Sequence, residues 1–509
     1  MKNEVIVNHI LCATLDGLDA KVVNVEGSLT KGLPNFSVVG LASSDIQEAK
    51  ERAKNALQAS GFELPPLKIT INLSPSDIKK SGTHFDLAIA LMVALGDEEI
   101  IHKDIFIFGE LGLDGRVKSS SLIFPLILSL KEQGFIKKAI VPKDTLDALK
   151  YIDSVEFYGV DTLNEAVDIL KKQDLPKNRQ VNVIYSNNKI EINNKSYYFS
   201  DDYKEDFSDI QGQEQAIRAA LISAAGMHNI LLNGNPGSGK SMIAKRLCYI
   251  LPPLSKDEIL TIARHQFLAG EEPNFKPIRP FRSPHHTATS AAIFGGGSHS
   301  AKIGEVALAN YGVLFFDELP HFNSKVLEAL REPLQDRVVN IARVNSKVQY
   351  SANFLFVGAM NPCPCGNLLS KSKECRCTDV EIKRYKNRLS DPFLDRIDIN
   401  IIMQEVDFSK KATTTSKELH KEVIKAFIAQ KKRGQENLNG NLQESDIDKF
   451  CKLDTQALQI LQQAIERFGL SYRAVANIKK VSRTIADLNG NIDITKSDIL
   501  EALSYRKRG

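Results

Sequence analysis

The stretch that most limits what this chain can fold into is Gly234-Asn235-Pro236-Gly237-Ser238-Gly239-Lys240-Ser241. This G-x-x-x-x-G-K-S pattern follows the apolar run Ile230-Leu231-Leu232 and precedes a helical run from Met242 to Tyr249. Strand, glycine-rich loop and helix therefore occur in the order a phosphate-binding loop requires. Glycines let consecutive backbone N–H groups curl around phosphate oxygens, and the amino end of the helix adds favourable potential for negative charge. On this reading the whole loop, Gly234 to Ser241, cradles a nucleotide. Lys240 reaches the β and γ phosphates, and the Ser241 hydroxyl ligates Mg²⁺.

Two further runs extend the same logic. Val313-Leu314-Phe315-Phe316 leads directly into Asp317-Glu318, a buried strand ending in two carboxylates. Such a strand delivers its acids to the carboxyl edge of a parallel sheet, where ligands bind. Asp317 is then the second Mg²⁺ group and Glu318 the residue that polarises the attacking water. A third strand, Phe354 to Val357, leads through Gly358-Ala359-Met360 to Asn361, which either helps position that water or, standing before Pro362, forms a turn.

The rest of the chain divides around this centre. With 509 residues, at roughly 150 per domain, about three domains are expected. Residues 1–170 mix β-rich runs with helical stretches, 171–205 are polar and Asn-rich and read as a linker, 206–403 alternate strands with helices, and 412–509 are helical throughout. Alternating strands and helices imply a parallel sheet covered by helices, so the fold class is α/β. Lys plus Arg number 66 against 62 Asp plus Glu, a net charge of +4. That is too little for global attraction to polyanions, so nucleic-acid contact has to come from local patches. The apolar run Leu87 to Leu95 is about half a membrane span, and Met1-Lys2-Asn3-Glu4 does not open a secretory signal. The expected location is the cytoplasm, without membrane association.

Of the seven cysteines, Cys363, Cys365, Cys375 and Cys377 fall together as C-x-C, nine residues, C-x-C. Two close thiolate pairs joined by a loop can supply the tetrahedron that Zn²⁺ prefers, and the alternative is four reduced, partly exposed thiols. From Lys371 to Arg388 seven basic residues face three acids, so this segment alone carries as much net charge as the whole chain. It reads either as a DNA contact or as a solvated helix face. Arg337 to Val344 alternates like a β-hairpin and brings Arg343 and Lys347 forward as candidate phosphate contacts. His285 and His286, taken as neighbours in a strand, would point to opposite faces.

Taken in order, these elements resemble the magnesium-chelatase-like branch of the AAA+ ATPases. The resemblance extends over essentially the whole length. It is carried most specifically by Arg282-Ser283-Pro284-His285-His286-Thr287, Gly304-Glu305-Val306-Ala307-Leu308-Ala309, Leu314-Phe315-Phe316-Asp317-Glu318-Leu319-Pro320, Met360-Asn361-Pro362-Cys363-Pro364-Cys365-Gly366 and Leu394-Asp395-Arg396-Ile397-Asp398. It implies a Lon-protease-like (ribosomal S5 domain 2-like) first domain, an AAA+ P-loop core and a helical lid. It also implies a homohexamer that binds ATP at subunit boundaries. By the same resemblance Asn361 is sensor 1, Arg396 the finger offered to a neighbour's γ-phosphate and Arg473 sensor 2. From the residues alone, Arg396 reads as an ion-pair partner of Asp395 or Asp398. His84 stands where active Lon proteases carry their serine, so proteolysis is not expected. The activity implied is an ATP-driven DNA translocase or helicase that promotes branch migration in homologous recombination, as in natural transformation. Single-stranded or branched DNA and recombination proteins are its expected partners. The alternative is a chelatase-type ATPase that remodels a partner protein for metal insertion.

Overall fold

The computed structural model describes residues 8–96, 98, 100–172, 175, 185, 188–296, 302–342, 347–370, 372–405 and 412–506. The chain forms two compact units. The first comprises Met1–Ile184 with Gln266–Pro273 and Ala342–Gln349, and the second Tyr185–His265, Asn274–Ile341 and Tyr350–Gly509.

In the first unit a seven-stranded mixed sheet runs in the order Asn35–Val39, Lys68–Ser74, Asp19–Thr30, His9–Asp16, Ile105–Ile107, Lys138–Pro142, Glu156–Val160. The helix Asp86–Leu95, DLAIALMVAL, is apolar nearly all round, and all but one of its residues are buried, as such a composition demands. His84, at the entrance to this helix, is also fully buried. Its Nε2 lies 2.8 Å from the Ala13 carbonyl, and burial lowers its pKa to about 4.

The second unit is built on a five-stranded sheet in the order Phe281–Arg282, Val313–Phe316, Leu355–Met360, Ile230–Gly234, Ile399–Met403. Every neighbouring pair in it is parallel. The third of these strands runs further than the apolar pattern suggests. Pairing of Val357 to Met360 with Ile230 to Asn233 keeps Gly358 and Ala359 in the ladder, so Asn361 emerges directly at the strand's carboxyl end. Beyond residue 412 come the helices Ser416–Lys432, Glu444–Phe450, Thr455–Phe468, Tyr472–Asn489 and Lys496–Ser504. Their apolar faces join the sheet in one continuous core: Val423, Ile478 and Ile485 belong to the same buried cluster as Ile230, Val313 and Val357. The switch in periodicity near residue 412 thus marks a change of element type within one core.

Within 171–205, Lys189–Ile192 and Lys195–Tyr198 form an antiparallel hairpin that Leu254–Ser255 extends. Ile192 and Tyr197 are buried against Phe427, which gives this polar stretch an apolar anchor.

A polar knot locks the helical region. Buried Asp487 accepts from Arg483 (2.9 Å), Arg433 (2.7 Å) and Asn439 Nδ2 (2.8 Å). Removing the carboxylate leaves two guanidinium groups without their counter-charge, one of them wholly buried. Asp487→Ala should therefore cost about 3–5 kcal/mol in a denaturant titration, whereas Asp448→Ala, at an exposed pair with Lys479, should cost under ~1 kcal/mol.

Candidate active site

The phosphate loop leaves the strand Ile230–Gly234 at its carboxyl end and enters the helix Lys240–Leu247. Gly237 (φ +77°) and Gly239 (φ +90°) take left-handed conformations that side-chained residues rarely adopt. Gly239 is also the helix N-cap, so no side chain satisfies the first-turn N–H groups, and Ser238 Oγ is buried without a hydrogen-bond partner. An uncapped helix end with a turn of backbone donors fits an anion. Lys240, 9% exposed, donates to the carbonyls of Gly234 (2.6 Å) and Asn235 (2.9 Å) and to Asn361 Oδ1 (3.1 Å). Burial lowers its pKa, and the Asp317 charge partly opposes that shift.

The acidic strand closes the other side. Ser241 Oγ donates to Asp317 Oδ2 at 2.9 Å, which places a hydroxyl and a carboxylate together as a divalent cation requires. Glu318 is exposed at the strand's end with a left-handed backbone (φ +51°), and its N–H donates to Asp317 Oδ1 at 2.9 Å. The structure thus gathers Lys240, Ser241, Asp317 and Asn361, with Glu318 adjoining Asp317.

It does not bring the two arginines to this loop. Asn229, which immediately precedes the phosphate-loop strand, donates from Nδ2 to the Arg396 carbonyl at 2.9 Å. Arg396 therefore belongs to the amino end of the strand whose carboxyl end bears Gly234. Five residues of extended chain separate the two ends by about 16 Å. The Arg396 side chain donates to the Arg331 carbonyl (3.1 Å) and Gln335 Oε1 (2.8 Å), and Arg473 reaches the same Gln335 oxygen (3.2 Å). Partial burial and the nearby charges of Arg473 and Arg331 lower the Arg396 pKa. Arg473, which the resemblance makes a lid residue over the nucleotide, thus stands with Arg396 in one cationic cluster. Gln335 gave no signal in the sequence.

Two residues of the quoted motifs make contacts that the motifs did not announce. His286 Nδ1 lies 3.7 Å from Glu318 Oε2. His285 and His286 do not occupy a strand, which ends at Arg282, and their ring centroids are 4.2 Å apart, so the opposite-faces expectation is corrected. The second is Gly366, whose place beside Pro236 no motif announced. The hairpin strands Val338–Ala342 and Lys347–Ser351 are present, but Arg343 and the side chain of Lys347 lie outside the described residues.

The four clustered cysteines converge, and their sulfurs all lie within 4.8 Å of one another, close enough to hold a metal ion. Cys363 is 3.5 Å from Cys365 and 3.7 Å from Cys375, and Cys365 is 3.6 Å from Cys375. Backbone N–H groups of Asn367 and Arg376 directed at Cys365 lower its thiol to about 6. The basic segment continues into the helix Asp379–Lys386, opened by a Thr378–Glu381 capping box. Lys373, Arg376, Lys383, Arg384 and Arg388 are exposed along it.

A parallel sheet carrying this loop, with an acidic strand and an asparagine at the same edge, is the architecture of P-loop ATPases. Family models agree in detail. Magnesium chelatase, subunit ChlI, matches residues 206–411, subunit ChlI of Mg-chelatase matches 25–145, and the ChlI C-terminal family matches 413–506. Competence protein ComM of Haemophilus influenzae is 37% identical, with 96% of this chain and 95% of that protein covered. The YifB proteins of Escherichia coli and Salmonella typhimurium are 36% and 35% identical, each at 96% of this chain and 95% of theirs. The chain belongs to the magnesium-chelatase-like ComM/YifB family of AAA+ ATPases, a membership that implies ATPase activity with ATP and Mg²⁺. Among the described residues no helix is long and apolar enough to cross a membrane.

Proposed function

We propose that this chain is an ATP-driven motor that works as a homohexameric ring on single-stranded or branched DNA. Its role on this reading is branch migration during homologous recombination, as in natural transformation. The observation that carries the reading is the division of charged groups between the two ends of one strand. The phosphate loop occupies the carboxyl end and the Arg396–Arg473 cluster the amino end. On this reading Arg396 and Arg473 serve the nucleotide of a neighbour, and the site is completed across a subunit boundary.

In the assembled site Lys240 exchanges its loop carbonyls for the β and γ phosphates, while Ser241 and Asp317 hold Mg²⁺. Glu318 and Asn361 orient the attacking water, and the neighbour's Arg396 and Arg473 neutralise charge developing on the γ-phosphoryl group. Arginine suits that post because its planar fork stays charged and binds phosphate oxygens bidentately. The tetrahedral edge for four sulfurs at zinc, with Zn–S of about 2.3 Å, is about 3.8 Å. The 3.5–3.7 Å separations among the Cys363, Cys365 and Cys375 sulfurs, with the Cys377 sulfur within 4.8 Å of them, support structural Zn²⁺ at Cys363, Cys365, Cys375 and Cys377. The DNA assignment rests on the exposed basic segment and on the competence role in the name of the relative ComM. Residues 1–170 are assigned the Lon-like fold without proteolysis, in keeping with the burial of His84. Residues 206–403 are then the AAA+ core and 412–509 its lid.

The test compares ATP turnover with and without single-stranded DNA or a four-way junction at low salt, where phosphate contacts are strongest. DNA should bind and raise turnover in the wild type, and Lys240→Ala should be silent in both conditions. If DNA neither binds nor stimulates, the chelatase-type remodelling reading replaces the motor.

A further inference from the structure

The cysteine cluster adjoins the phosphate loop directly. Cys363 follows Asn361 by two residues, and Gly366 follows Cys365. Gly366 is left-handed (φ +80°), and a Cβ built on it would come within 2.6 Å of Pro236 Cδ, so the cysteine loop lies on the phosphate loop with no room for a side chain between them. The Asn235 side chain spans this contact. With the amide turned so that each end meets a complementary partner, its nitrogen donates to the Gly366 carbonyl (2.8 Å) and its oxygen accepts from the Ser370 N–H (3.0 Å). On the other flank, the Tyr385 hydroxyl, from the helix that begins just past Cys377, faces the Asn361 backbone. The phosphate loop and the asparagine that meets Lys240 therefore both lie against segments that carry or directly follow the four cysteines.

We propose that the metal at Cys363, Cys365, Cys375 and Cys377 sets the affinity of the nucleotide site, with metal and nucleotide binding cooperatively. This rests on the zinc reading above. With the metal in place, two chain segments ten residues apart are pinned to one centre. Gly366 and Ser370 then present a fixed carbonyl and N–H to Asn235, and the phosphate loop holds its open shape. Without it the sulfurs share no common ligand, and the clamp on Asn235 loses its anchor. Coupling of this kind is reciprocal: whatever factor the metal adds to nucleotide affinity, the nucleotide adds to metal affinity.

The experiment uses the full chain. Zinc per chain is measured after dialysis. Dissociation constants for a fluorescent ATP analogue are then compared in the loaded protein, in protein stripped by a zinc-selective chelator, and after zinc is returned. Zinc affinity is measured by competition with a chromogenic chelator, with and without the non-hydrolysable nucleotide ATPγS and Mg²⁺. The expected result is about one zinc per chain, nucleotide binding about fivefold or more weaker in the stripped protein and restored by zinc, and zinc binding tighter by the same factor with nucleotide. Gly366→Ala, which leaves all four thiols in place, should weaken nucleotide binding to a similar extent at unchanged zinc content. Equal nucleotide affinity with and without zinc, together with zinc affinity blind to nucleotide, overturns the coupling and leaves the zinc reading standing. Less than about half an equivalent of zinc, with none taken up on addition, overturns the zinc reading and the coupling together.

Discussion

Arg396→Ala is expected to lower ATP turnover about 10³- to 10⁵-fold, the range an arginine finger supplies in phosphoryl transfer, while nucleotide binding by the isolated chain stays intact. The reason is geometric. Arg396 is fixed at the amino end of the phosphate-loop strand through the Asn229 contact, with its guanidinium turned to Arg331 and Gln335. Nothing it touches belongs to the phosphate loop of its own chain. A mixing experiment separates this from a local structural role. Arg396→Ala chains keep a sound phosphate loop, and Lys240→Ala chains keep sound arginines. Each preparation should be silent alone and turnover should return when they are mixed, because some interfaces then join an intact loop to an intact arginine. Loss without recovery on mixing would mean that the arginine serves its own subunit's fold, and the ring mechanism would fall. Arg396→Lys should recover only a minor part, since an ammonium keeps the charge and loses the planar fork.

How much of this was legible in the sequence depended on whether the signal was local. Gly237, Gly239 and Lys240 were readable because the loop's chemistry fixes their spacing along consecutive residues. Asp317 was readable because a buried strand has to end somewhere, and this one ends in acid. The four cysteines announced themselves by composition. What could not be read was contact between distant segments. The Asn235 clamp joins residue 235 to residues 366 and 370, and Gln335 gathers arginines from positions 396 and 473. Glutamine and asparagine amides have no spacing rule, since their partners are set by how strands and helices pack. The same limit explains the histidines. The rule that neighbouring side chains alternate holds only within a strand, and the chain leaves its strand at Arg282, before His285 and His286. It also explains the hairpin at Lys189–Tyr198, whose polar sequence hides the packing of Tyr197 on Phe427.

Glu318→Gln should abolish steady turnover, lowering it about 10²- to 10⁴-fold, the usual contribution of a positioned general base, without weakening ATP binding. The amide keeps the size and hydrogen-bonding reach of the carboxylate and removes only the charge that draws a proton from water. The proposed role falls on a residue whose backbone few side-chained residues adopt, left-handed at φ +51° and held by its N–H on Asp317 Oδ1. Such strain costs of order 1–3 kcal/mol and persists where the surrounding structure imposes it. Here the strand Val313–Phe316 on one side and the turn Leu319–His321 on the other do so. Asp317→Asn should behave differently, because Asp317 meets Ser241 Oγ and is the proposed Mg²⁺ ligand: Mg²⁺-dependent nucleotide affinity should fall along with turnover. Fluorescent-nucleotide titrations at several Mg²⁺ concentrations, run beside phosphate release, distinguish the two. If Glu318→Gln instead weakens binding in step with turnover, or leaves turnover near the wild-type rate, Glu318 is not the group that activates water, and the acid at the end of this strand serves only the metal.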